Sequence, residues 1–205
     1  MIRFDWMRWL GLGAVFGGLF FSIYEILFAI TTARFHEDPY IWTLIYMIGM
    51  FAALFVILGV IGIYAYQAND SGAFGLATFI LTLVGLIAFF GFAWGGAIII
   101  PAVVAQSPSF LDTPSSVWQY ANAFFISHFL FAIGVLLFGI MILRNKIMPR
   151  GAALLIIVGS LAGGVDIWDL GLLDPDWGPI VLASIGFVWL GIWLWRSTIS
   201  DALDK

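Results

Sequence analysis

Apolar residues run along this chain in long blocks, and only short polar segments separate them. The blocks cover roughly residues 7–31, 40–66, 73–100, 118–143, 151–168 and 178–196. Most approach or exceed the about 20 residues that an α-helix needs to cross the hydrocarbon of a bilayer. The breaks carry their own chemistry. Arg34 to Pro39 is charged and ends in a proline, Gln67 to Gly72 reads as a polar turn, and Pro101 closes the third block. Ser107 to Ser116 is a loop, Arg144 to Arg150 a basic turn, and Asp166 to Gly178 an acidic one. Inside lipid every backbone N–H and C=O must be paired within the protein. No run alternates with a period of two as barrel strands do, so the blocks predict helices. The expectation is an all-α integral membrane bundle of six helices, one transmembrane domain over residues 1–205.

Lysine and arginine set the orientation. With the N-terminus inside, Arg3, Arg8, Arg144, Lys146, Arg150, Arg196 and Lys205 fall on the inner side and only Arg34 on the outer. This asymmetry predicts both termini on the cytoplasmic side of a prokaryotic inner membrane. Trp6, Trp9, Trp193 and Trp195 fall at the inner interface, and Tyr40, Trp42, Trp118, Trp168 and Trp177 at the outer. The first block is too long for the apolar core of a signal peptide and lacks a cleavage site, so it reads as a span. The inner ends of three helices begin alike, at Gly62-Ile63, Gly139-Ile140 and Gly191-Ile192. A bundle of three similar hairpins would place them so; so would any apolar helix ending at an interface.

Composition narrows the function. With 63% hydrophobic and 10% charged residues, no soluble domain fits beside the spans. The net charge of −4 offers nothing to nucleic acid, and the lack of cysteine removes disulfides and thiolate chemistry. No metal-ligand spacing, phosphate loop, nucleophile elbow or dinucleotide fingerprint is present, and the four loop carboxylates Asp166, Asp169, Asp174 and Asp176 lack the rest of a calcium loop. Enzymatic activity is therefore not expected.

Two ionisable side chains lie well inside spans, Glu25 and His128. Such groups are costly in hydrocarbon and so mark candidate sites. Gly11, Ala14, Gly18, Ser22, Glu25, Ala29 and Thr32 recur at helical spacing as one small, polar stripe, which turns Glu25 towards other helices. Gly159, Ala162, Gly163 and Asp166 repeat the pattern in the fifth helix. His128 sits near mid-depth among phenylalanines, where it is a helix-to-helix hydrogen bond, a proton relay, or a single axial ligand to haem or chlorophyll. On ideal rise Glu25 and His128 differ in depth by about 7 Å. Trp94 beside Gly95 and Gly96 leaves room for a flat ligand or a close helix. Arg144, Lys146 and Arg150 suit lipid head groups. The inner halves of the spans look almost free of polar side chains.

Gly62 to Gln67, Gly72 to Ala77, Ile100 to Val103 and the basic turn Ile142 to Gly151 resemble a group of small multi-span bacterial membrane proteins that has no established activity. The resemblance covers about two thirds of the chain. It implies a natural six-span fold and carries over no site residue. Three functions remain. One is an accessory or structural subunit of a larger membrane complex of respiratory or photosynthetic type, with lipids and other subunits, or copies of itself, as partners. Another is a small transporter or channel with Glu25, His128 and Asp166 in an outer polar site. The third is a haem, chlorophyll or quinone binder using His128 and Trp94.

Overall fold

In a computed structural model the described residues are 3–31, 39–107, 109–110, 114–166 and 178–203. Among them the regular structure is helical throughout: α1 (Arg3–Thr31), α2 (Pro39–Trp94), a π-helical turn (Gly95–Ile99), α3 (Ile100–Gln106), α4 (Pro114–Asn145), α5 (Arg150–Asp166) and α6 (Gly178–Leu203). Four stretches are long and apolar enough to cross a membrane: Trp6–Ile30, Tyr40–Gln106, Asn122–Asn145 and Ile180–Ser197. The apolar part of α5, Arg150–Gly163, is shorter.

The 56-residue α2 is a hairpin of two helical limbs. Gly72 takes φ 57° and ψ −161°, a conformation open to glycine and strained for any residue with a Cβ. The chain reverses there. Tyr64 stacks on Phe79 with ring centroids 4.2 Å apart, whereas 15 residues of straight helix would separate them by about 22 Å. The first limb runs on to Ser71, so the residues expected to form a polar turn from Gln67 are helical and the turn tightens onto Gly72. The second limb likewise passes the expected stop at Pro101. The π-turn bonds the Ile100 N–H to the Gly95 carbonyl, and the proline then occupies the first turn of α3, where its missing N–H costs little.

The helices close a ring. α1 contacts α2 and α6, α2 contacts α4, α4 contacts α5, and α5 contacts α6. Glycines set the closest approaches. A Cβ on Gly59 would lie 2.5 Å from the Ala14 Cα, and one on Gly17 would lie 2.6 Å from the Val56 backbone nitrogen, which seats α1 on the first limb of α2. On its other side α1 meets α6, where Gly11 abuts the Gly191 carbonyl and Gly18 the Ser184 carbonyl. The predicted stripe on α1 thus divides, with Ala14 facing α2 and Gly11 and Gly18 facing α6. Gly85 and Gly134 bring the second limb of α2 against α4. Gly62, Gly139 and Gly191, which mark the suspected repeat, are each buried at a helix contact.

The interior is filled by Val56, Val60, Phe89, Phe138, Met141, Ile156, Leu190 and Leu194 with their neighbours. Yet large apolar side chains also cover the exterior, among them Phe16, Leu19, Ile23, Leu54, Ile87, Ile126, Leu154, Val158 and Ile185. A chain that is apolar on both sides has lipid as its solvent, and these are the dimensions and surface of a membrane protein. Arg8, Arg144, Lys146, Arg150 and Arg196 gather at one end of the ring, because antiparallel packing brings the start of α1, the α2 turn, the α4–α5 turn and the end of α6 together.

Two glycine substitutions separate two causes of instability. Gly72→Ala meets nothing within 4 Å, so its expected cost of about 1–3 kcal/mol is backbone strain alone. Gly59→Val collides with the α1 backbone and is expected to cost more than about 2 kcal/mol by wedging two helices apart. Denaturant unfolding in detergent checks both. A Gly59→Val variant of unchanged stability would contradict the α1–α2 contact.

Candidate functional site

An aromatic layer crosses the ring towards the end opposite the arginines. Phe21 of α1 stacks on Phe131 of α4 with centroids 5.2 Å apart and planes within 7°, and Phe89 of α2 packs on both at 5.0 and 5.7 Å. Glu25 lies one helical turn beyond Phe21, and His128 one turn beyond Phe131 on the same side of this layer. The two candidates are therefore level, not offset by a turn as ideal rise suggested. Both are buried, Glu25 to 8% and His128 to 6% exposure. No hydrogen bond or ion pair joins them, and among the described residues Glu25 makes none at all.

His128 sits in an aromatic recess. Its ring is 3.9 Å from Phe124, with Phe89 and Phe92 edge-on at 5.1 and 5.5 Å. Its Nδ1 lies 2.8 Å from the Phe124 carbonyl and 3.3 Å from the Ser127 hydroxyl. A carbonyl only accepts, so Nδ1 carries the proton and Nε2 keeps its lone pair, the tautomer found in histidines that ligate a metal or accept a proton. The aromatic packing continues through Phe92 to Tyr46, at 5.6 Å, and on to Tyr24 and Trp42.

The other candidates stand apart. Trp94 is 43% exposed on the outer face of α2, and a Cβ on Gly91 or Gly95 beside it would meet nothing, while Gly96 packs against the Tyr46 ring. Asp166 is the last residue of α5, and its side chain lies outside the described residues, as do His36, Trp168, Asp169, Asp174, Asp176 and Trp177. Arg144, Lys146 and Arg150 are exposed around the α4–α5 turn, with the Arg144 guanidinium 5.3 Å from the centre of the Phe74 ring. Among the described residues no group of three histidine, aspartate or glutamate side chains could hold a metal ion. A cavity between Gly18, Phe21, Val56, Phe131, Ser184 and Phe187 has room for only about 10 Å³, roughly one water molecule.

The expectation that the half nearer the arginines lacks polar side chains is corrected. Gln67, Ser71, Thr78 and Thr82 are all buried there. Asn145 donates to Gln67 Oε1 at 3.1 Å and to the Ser71 hydroxyl at 2.8 Å, tying the turn of α2 to the end of α4. Ser71 donates to the Gln67 carbonyl at 2.7 Å, and Thr82 reaches the Gly134 carbonyl at 2.8 Å. Gln67 Nε2 is buried without a partner. A signal was present in the sequence: Gln67 and Ser71 are four residues apart at the end of the first limb, and Gly75, Thr78 and Thr82 recur every three or four residues on the second.

Compared with known protein families, with curated proteins and with solved structures, the chain finds no match.

The network predicts a ranking. Thr82→Val, which removes one interhelical bond, is expected to cost about 0.6 kcal/mol. Asn145→Leu strands Gln67 Oε1 and removes two bonds, at an expected cost of about 2 kcal/mol. Unfolding of both variants in detergent gives the order, and equal costs would remove Asn145 as the tie between the two turns.

Proposed function

We propose that this chain is an accessory, structural subunit of a larger complex in a prokaryotic cytoplasmic membrane. It crosses that membrane six times, with the arginine-rich end and both termini on the cytoplasmic side. The observation that carries this reading is the outer face of α2 at Gly91 and Gly95. The glycines at 11, 13, 17 and 18 are filled by the chain's own helices, but Gly91 and Gly95, four residues apart, are open on an apolar surface. Small residues at this spacing let a second helix approach closely in lipid, where packing drives association. The interior supports the same reading, since interlocked rings fill the level at which a substrate would have to pass. The exposed Arg144, Lys146 and Arg150 would hold lipid head groups.

Native mass spectrometry after mild extraction from the native membrane is expected to show stoichiometric foreign subunits. Gly95→Leu is expected to release them with little change in thermal stability, because a Cβ at that position meets nothing within 4 Å. A bare monomer, or retention of partners by Gly95→Leu, would count against this role.

One observation favours a second reading. Glu25 and His128 are buried at one level, with Nε2 of the histidine uncommitted, as a proton-linked transporter or a haem, chlorophyll or quinone site would require. Glu25→Gln is then expected to abolish substrate or proton flux in liposomes, or the purified protein to carry visible absorption or extractable quinone. Unchanged flux together with a colourless, quinone-free sample removes this reading.

A further inference from the structure

At the arginine-rich end, α1 and α6 are drawn together by Gly11 and Gly191, whose backbones touch. One turn further on, this approach lays the Arg8 guanidinium over the Trp195 ring, 4.6 Å from its centre. Trp9 packs edge-on against the same ring, with centroids 6.3 Å apart and planes at 85°. Stacking occupies only the face of a guanidinium, while its N–H donors radiate in the plane and stay available. Among the described residues Arg8 makes no hydrogen bond and no ion pair, and its Nε is buried without a partner. A cation fixed in orientation, desolvated on one side and unpaired among the described residues suits an anion that offers two oxygens to its fork.

The surroundings say which anion. Trp6 and Trp9 are 67% and 66% exposed, and tryptophans project in this way at the head-group level of a bilayer. Arg196, next along α6, is exposed at the same end and adds positive charge that would repel a choline or ethanolamine cation. We propose that Arg8, stacked on Trp195 between the cytoplasmic ends of α1 and α6, binds the phosphodiester of an anionic membrane phospholipid. This site is separate from the basic turn at Arg144 to Arg150. It relies on the membrane orientation given above but not on the subunit role, so it stands if no protein partner is found.

The test uses the full-length protein in mild detergent, with any partners it retains, and counts bound lipid by native mass spectrometry. Phosphatidylglycerol, phosphatidylcholine and inorganic phosphate are titrated in turn. The expected result is that phosphatidylglycerol binds about tenfold more weakly to Arg8→Lys and Arg8→Gln, because the bidentate, charge-assisted pair is lost, and to Trp195→Leu, because the stack that orients the guanidinium is lost. Arg8→Lys keeps the charge and loses only the planar fork, and near-UV circular dichroism verifies that it is folded. Wild-type affinity in Arg8→Lys would show ordinary attraction of positive charge to an anionic surface and overturn the proposal. Equal affinity for phosphatidylcholine would overturn the anionic preference, and full competition by inorganic phosphate would identify a soluble anion in place of a lipid.

Discussion

The close approach of α1 to two neighbours at once is the contact on which the rest of the structure depends. Between helices in lipid there is little hydrophobic gain, because hydrocarbon solvates leucine as well as a protein interior does. Association rests on dispersion contacts and hydrogen bonds, and dispersion falls away within fractions of an ångström. Gly13, Ala14 and Gly17 admit α2 on one side, and Gly11 and Gly18 admit α6 on the other. With α1 held on both faces, the ring closes through α4 and α5, and the register of every level follows. Ala14 lies opposite Gly59, Gly11 opposite Gly191, and Gly18 opposite Ser184. That register lays Arg8 on Trp195 and sets Glu25 level with His128.

Within the ring, the two halves are held by different chemistry. Away from the arginines, interlocked aromatic rings fill the space, and their edge-to-face contacts add directional attraction to area burial. Near the arginines aliphatic side chains are mixed with Phe138 and the Tyr64–Phe79 and Tyr66–Trp193 ring pairs, and specificity comes from buried hydrogen bonds. Asn145, Ser71 and Gln67 join the turn of α2 to the end of α4, and Thr82 reaches across to Gly134. Unpaired polar groups are costly in such surroundings, so these bonds discriminate against sliding of one hairpin past another. Glu25 stands apart as a buried carboxyl with no hydrogen bond or ion pair among the described residues. It is on this residue that the second reading above turns.

Helical class, apolar surface and the grouping of arginine and lysine at one end were legible in the sequence. They depend on composition and on spacing along one chain, and lipid imposes the same rule on every span. The helix ends were less so. Gln67 to Gly72 has the composition of a solvated turn, but it is helical up to Ser71, and Gln67 and Ser71 are buried because α4 supplies Asn145 as a polar partner. Pro101 read as a stop, and a π-turn upstream absorbed it. For the candidate site, the sequence singled out Glu25 and His128 and turned the α1 stripe inward, and both side chains are buried. It also grouped Trp94 with them, but that residue lies on the outer face.

What the sequence determined by itself was the solvent of the chain, its secondary structure and the few residues whose polarity is out of place, since each follows from local composition and the rules of hydrogen bonding in lipid. Only the tertiary structure decided which small-residue stripe meets which helix, that Gln67, Ser71 and Thr82 reach α4 from the two limbs of α2, that Glu25 and His128 share a level, and that Arg8 rests on Trp195. Large apolar side chains cover both the inward and the outward faces of these helices, so hydrophobicity alone cannot tell one from the other. Shape and hydrogen-bond matching between helices make that choice, and neither exists until the helices have come together.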